Sequence, residues 1–295
     1  MIIDFRYHLA SLIAVFLALG LGILIGGAVL GNPALQRELS SIEENLAKLR
    51  QDQRHLEEEI AKRDEILKVC TQFENAALPA LVRNKLLGKR VALVRTSVGV
   101  DARLIRSLTK LFQTAGAKVT STSTILRDPA ELAPEKLAEL GRKLNLNAAD
   151  TEIAPQLLRL AADRIANGPV YGGAINDRLL ETLSSARLIE LAGDYGGMVD
   201  VLVFVGGGSD PAKDQSKVDG VLIDAVVGAK GLIVAATEPS NAPRSYLDEY
   251  LKHPVIVVDN VETTPGQAAL ILALMRGRKG HYGVKGAHQL VPELI

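Results

Sequence analysis

The sequence has no tryptophan, a single cysteine, three methionines and an aromatic content of 4%. Each shortage closes a route. A membrane β-barrel carries girdles of aromatic residues where its wall meets the two interfaces, and this chain has too few to build them. Cys70 alone cannot make an intramolecular disulfide, so cysteine usage is silent about redox compartment and permits only a bridge between chains. Soft metal sites gather Cys and Met or paired His, whereas Met1, Met198 and Met275 form no repeat and the five histidines are scattered. Excess charge of one sign is also missing. The 34 basic side chains are matched by 34 acidic ones, which leaves a net charge of zero and no field to draw nucleic acid. The chain contains no GxSxG elbow, Walker loop, HExxH or CxxC, so nothing nominates a catalytic apparatus and the expectation is a protein that is not an enzyme.

What the chain does have begins near its N-terminus. Leu9 to Leu30 reads LASLIAVFLALGLGILIGGAVL, 22 residues without a charged side chain. At about 1.5 Å per residue this spans roughly 33 Å, enough for a hydrocarbon core of about 30 Å. The run predicts a transmembrane helix. A secretory signal peptide with small residues at Gly26 and Ala28 is the alternative, but its apolar region would be only about 7 to 15 residues long. Basic residues flank the segment on both sides, Arg6 before it and Arg37, Lys48 and Arg50 after it. A long C-terminal domain translocates largely regardless of such charges, so the expected topology is a single-pass cell-membrane protein with that domain outside the cytoplasm. Two GxxxG spacings, Gly22 to Gly26 and Gly27 to Gly31, would let two such helices approach closely, although glycine is also simply frequent in membrane helices.

Beyond Asn32 and Pro33 the apolar residues Leu35, Leu39, Ile42, Leu46, Leu49, Leu56, Ile60 and Leu67 recur at spacings of four and three, with Gln53, Arg63 and Cys70 completing the register. About five heptads between charged flanks predict a coiled coil. In a parallel homodimer Glu38 would face Glu43, Asp52 would face Glu57 and Glu59 would face Asp64, and these pairs repel. The charges argue against a simple parallel dimer even though the membrane helix would enforce one, so an antiparallel or hetero-partner seam stays open, as does a lone amphipathic helix.

After a break around Asn75 to Gly88 the period changes. Short apolar runs at VALVRT from Val91, VLVFV from Val201, LIVAAT from Leu232 and VIVVDN from Val255 alternate with helical stretches at 101–115, 215–229, 245–252 and 267–276. Such runs predict a mostly parallel α/β sheet covered on both faces, with VTSTST from Val119 as a weaker fifth strand. Residues 134–168 read as an inserted pair of helices punctuated by Asn147 and Pro155. The expected organisation is a tail and membrane helix over 1–31, a coiled coil over 35–73, an α/β domain over 89–279 and a C-terminal tail over 280–295.

The strands end in polar residues that define a candidate ligand-binding rim: Ser97, Gly207, Gly208, Asp210, Glu238, Asp259 and Asn260. In open parallel sheets that rim forms the ligand crevice, and consecutive glycine amides after a strand make an anion nest. Turns and helix caps use the same residue types. Thr264, Pro265 and Gln267, for instance, fit a capping box with no ligand at all. His281 and His288 read as surface histidines of the tail, and Cys70 at a core position of the heptad as a small hydrophobe.

Two stretches, DFRYHLASLIAVFLALGLGILIG at Asp4 to Gly26 and VDNVETTPGQAALILALMRGRKGHYG at Val258 to Gly283, resemble the MctB family of copper-transport proteins. The resemblance covers nearly the whole chain. It implies a membrane-anchored envelope protein in copper homeostasis, a family whose mycobacterial members are described as an outer-membrane copper channel. One helix encloses no pore, and the strands here are continuously apolar rather than alternating. Copper enters through the resemblance alone, with no certain cofactor and no ligand set visible. The expected function is a copper-homeostasis protein that self-associates through membrane glycines and coiled coil and binds a ligand or partner at the rim. The alternatives are an envelope scaffold without metal chemistry and an enzyme using Asp210, Glu238 and Asp259.

Overall fold

The computed structural model describes residues 5–30, 33–146, 150–168, 174–208 and 215–293. The chain divides into two units, Met1–Cys70 and Thr71–Ile295. In the first, helix α1 (Phe5–Leu30) is apolar all round, and its stretch Tyr7–Gly27 has a mean hydropathy of 2.6 over 21 residues. By length and composition this helix is able to cross a bilayer. Helix α2 (Pro33–Val82) follows with proline in its first turn, where the missing N–H costs nothing. The heptad positions from Leu39 to Leu67 all lie on this helix with their apolar side chains exposed, and Cys70 is a free, exposed thiol.

The break expected around Asn75 to Gly88 comes later than the sequence suggests. Helix α2 runs through Pro79 to Val82, and Val82 and Leu86 are buried in the core of the second unit with Leu78 packed against it. Packing of Leu78 and Val82, on either side of Pro79, accompanies the helix past a residue that ordinarily ends one.

The second unit is built on a seven-stranded sheet. Its strands are β1 (Arg90–Arg95), β2 (Lys118–Ile125), β3 (Ile189–Gly193), β4 (Val201–Val205), β5 (Ile233–Thr237), β6 (Ile256–Val258) and β7 (Gly280–Tyr282), in the order β3-β2-β1-β4-β5-β6-β7. All neighbours pair in parallel except β2 with β3. The helices are α3 (Ala102–Thr114), α4 (Pro134–Lys143), α5 (Asp150–Asn167), α6 (Ala174–Ser185), α7 (Ser216–Val226), α8 (Leu247–Tyr250) and α9 (Thr264–Arg276).

Side-chain alternation along the strands divides the core in two. Ala92, Val94, Leu202, Phe204 and Ala236 face one layer with α4 to α8, while Val91, Leu93, Val201, Val203 and Ala235 face the other with α3, α9 and the end of α2. A strand covered on both faces must be apolar at every position, which is why β4 reads VLVFV and is buried throughout. The expected mostly parallel α/β class, behind an apolar helix and a long helix, is thus what the chain forms. Two strands lie outside the expected set. β3, IELAG, is largely exposed, and β7 has three residues.

Phe204 sits at the centre of this arrangement, fully buried on the middle strand. Phe204→Ala is expected to lower unfolding stability by about 3–5 kcal/mol, read as a drop in denaturant midpoint of the full chain in detergent, and an unchanged midpoint would contradict the packing described.

Candidate functional site at the sheet rim

From β1 the chain moves outward to β2 and β3, then returns to place β4 on the other side of β1. The loops after β1 and β4 therefore part in opposite directions, and a crevice opens between them at the carboxyl ends of the strands. A cleft of about 550 Å³ occupies this switch point, lined by Gly99, Val100, Asp101 and Arg103 after β1, by Gly207 and Gly208 after β4, and by Pro239, Asn241 and Ala242 after β5. Ligand pockets commonly fall between about 300 and 1,000 Å³.

The two glycines are required by close approach. Gly207 has φ +95°, and a Cβ on it would lie 2.9 Å from that of Ala242. A Cβ on Gly208 would come as near to the Cβ of Arg244, whose backbone exchanges both hydrogen bonds with Gly208. On the opposite wall Asp101 caps α3, accepting from the Arg103 N–H at 2.7 Å. That hydrogen bond, aided by the Arg103 guanidinium, holds the carboxyl below the usual carboxylate range. Glu262 accepts from the Ser240 N–H and hydroxyl, and so fixes the loop after β5. The cleft thus offers carboxylate and guanidinium groups around a glycine-floored hollow.

Ser97 stands beside this cleft, its hydroxyl accepting from the Gly99 N–H at 3.1 Å and shaping the loop. Glu238 and Asp259 are turned elsewhere. Both are fully buried and are engaged by the segment after β7. Glu238 accepts from Lys285 Nζ at 2.8 Å, from the Ser245 hydroxyl at 2.5 Å and from the Tyr246 N–H at 2.7 Å. Asp259 accepts from the Val284 and Lys285 N–H groups at 2.7 and 2.9 Å and contacts His281 Nε2 at 2.6 Å. These bonds strap the C-terminal segment across the ends of β5 and β6, and His281 belongs to β7 instead of an unstructured tail. Asn260 is buried, with its carbonyl accepting from the Thr263 N–H and hydroxyl at the start of α9. Asp210 lies outside the described residues.

A buried carboxyl that sequence reasoning missed lies behind the cleft floor. Asp219 on α7 accepts from the Thr96 hydroxyl at 2.7 Å and from the Tyr250 hydroxyl at 2.5 Å. All three are buried, and the second oxygen of Asp219 has no partner among the described residues. Gly206 completes the packing, since a Cβ there would sit 1.9 Å from the Tyr250 oxygen. Burial pushes the Asp219 carboxyl up to about 7, reinforced by the charges of Glu238 and Glu249 and opposed by the two hydrogen bonds. Burial, and then the Asp219 carboxylate, raise Tyr250 well above its ordinary value. Among the described residues no three His, Cys, Asp or Glu side chains gather as a metal-holding group.

The chain is similar to known proteins over almost its whole length. A family model described as "Copper transport outer membrane protein, MctB" matches residues 2–292. Proteins named copper transporter MctB from Mycobacterium bovis and Mycobacterium tuberculosis are 27% identical over 315 aligned residues, covering 95% of this chain and 96% of theirs.

Asp219 binds its proton more tightly in the folded chain than in the unfolded one, where its pKa is about 3.9. Its contribution to stability is complete below about pH 4 and is lost as pH rises through about 7. A shift of that size is worth on the order of 4 kcal/mol at most. Asp219→Asn keeps the shape and an acceptor for Thr96 and Tyr250. It is expected to flatten the fall in denaturant midpoint between pH 5 and pH 8, and an undiminished slope would show that other groups carry it.

Proposed function

The chain belongs to the MctB family, and we propose that it acts as a single-pass, membrane-anchored protein of copper homeostasis whose α/β domain lies outside the cytoplasm and takes a ligand or partner at the switch-point cleft. The family match across residues 2–292, with relatives named copper transporter, is the observation that carries the copper assignment. Copper is cargo in this reading. The cleft supports the binding assignment: Gly207 and Gly208 present backbone to its interior, Ser97 shapes one wall, and Glu238 holds the end of the loop after β5 through Ser245 and Tyr246, whereas Asp259 and Asn260 hold the C-terminal segment and the start of α9.

The exposed apolar stripe of α2 supports self-association with a second copy of the chain. Each leucine or isoleucine contributes about 1.5–3 kcal/mol when fully buried, whereas an exposed like-charge pair costs a few tenths of a kcal/mol by analogy with pairs along one helix. Burial outweighs the acidic repulsion. The open faces of Gly20, Gly22, Gly26 and Gly27 favour the same parallel pairing within α1, while Gly31 lies outside the described residues.

Three outcomes follow. A reporter active only outside the cytoplasm, fused after Ile295, is expected to be active, and activity of a cytoplasmic reporter alone would reverse the topology. Titration of the detergent-solubilised full chain with copper is expected to give binding tighter than about micromolar, whereas its absence would favour an envelope scaffold. Salt screens the acidic repulsion, so mild oxidation at high salt is expected to cross-link two chains through Cys70; a monomer without cross-link would remove the parallel seam.

A further inference from the structure

We propose that the helical insertion carries an anion-binding site of its own, suited to a ligand bearing two or more phosphate groups. A cleft of about 660 Å³ opens between α4 and α6. Five cationic side chains line it: Lys136 and Lys143 from α4, Arg178 from α6, Arg127 from the loop after β2 and Arg187 from the turn before β3. Two carboxylates accompany them, and Glu139 is already held by Lys143 at 2.8 Å. In a chain whose charges cancel overall, this local excess is not a consequence of composition. The Thr182 and Ser185 hydroxyls add neutral donors on the face of α6 that carries Arg178.

The way two of these arginines are held is the stronger observation. Arg187 has φ +56° at the end of α6, where its N–H bonds to the Ser184 carbonyl and the Leu188 N–H reaches back to that of Leu183. Helices closing in this manner ordinarily place glycine there, because a side chain in the left-handed region is strained. An arginine is held at that position with its side chain at the cleft. Arg127 donates from Nη2 to the Ala186 carbonyl at 3.3 Å, which ties the loop after β2 to the end of α6 beside the cleft. Guanidinium forks match the geometry of phosphate oxygens, and cations on both walls engage separate groups of one multiply charged ligand.

Phosphate groups of this kind occur on free metabolites and on lipid headgroups, and the test separates the two. The full chain in detergent is titrated calorimetrically with inorganic pyrophosphate, tripolyphosphate and a soluble short-chain diacylglycerol pyrophosphate. Binding of at least one is expected, weakening as salt rises. Arg187→Gly relieves the strained backbone and is expected to fold at least as stably as the parent while binding tenfold or more weakly. The exposed pair Lys136→Gln with Arg178→Gln is expected to weaken binding similarly without loss of fold. Tighter diacylglycerol pyrophosphate than inorganic pyrophosphate would identify a headgroup site, and the reverse order a free phosphorylated ligand. Absence of binding by all three probes at millimolar concentration, or binding unchanged in both variants, would overturn the proposal.

Discussion

Strands β1, β4, β5 and β6 are covered on both faces, and an unpaired polar side chain buried there would cost several kcal/mol. That constraint keeps buried charge out of these four strands and places Thr96, Glu238 and Asp259 at their carboxyl ends. Thr96, Gly206, Glu238 and Asp259 each follow directly on the last residues of such a strand. Their proximity reflects the sheet before it reflects any ligand. The cleft, the Asp219 cluster and the C-terminal strap share this one rim because a doubly covered parallel sheet leaves them nowhere else to gather.

Within the rim the carboxylates divide by what they meet. Glu238 and Asp259 meet backbone N–H groups, Lys285 and His281, so their oxygens are occupied by the protein itself. Among the described residues Asp219 meets only hydroxyl donors, and its burial raises its proton affinity against their pull. Asp101, in the cleft wall, is exposed and held by an arginine and a helix N-terminus. Three environments thus produce a structural pair, a proton-holding group and a solvent-facing anion from one residue class.

How much of this is legible beforehand follows from range. VLVFV and VIVV announce buried strands because their pattern is local, and helices such as α3 and α9 carry capping residues within a few positions. The edge strand β3 escapes notice since IELAG has neither an apolar run nor strict alternation, and GHY is too short to register as β7. At the rim, Gly207 and Gly208 are visible as a glycine run following a strand. Nothing local reveals that Glu238 is held by Lys285, 47 positions away, or that Thr96 reaches Asp219 across 123. Likewise, basic residues spread from 127 to 187 converge only once α4 and α6 face one another.

The strap across β5 and β6 gives the domain a direction in time. Chains are made N-terminus first, and Glu238 and Asp259 emerge well before Val284 and Lys285. Until those later residues arrive, burying Asp259 would deprive it of its His281, Val284 and Lys285 donors, and Glu238 would keep only Ser245 and Tyr246. The nascent sheet can therefore assemble its middle strands early, but its β5–β6 margin has to stay hydrated. The final segment acts as a fastener, sealing the edge only once nearly the whole domain has been synthesised.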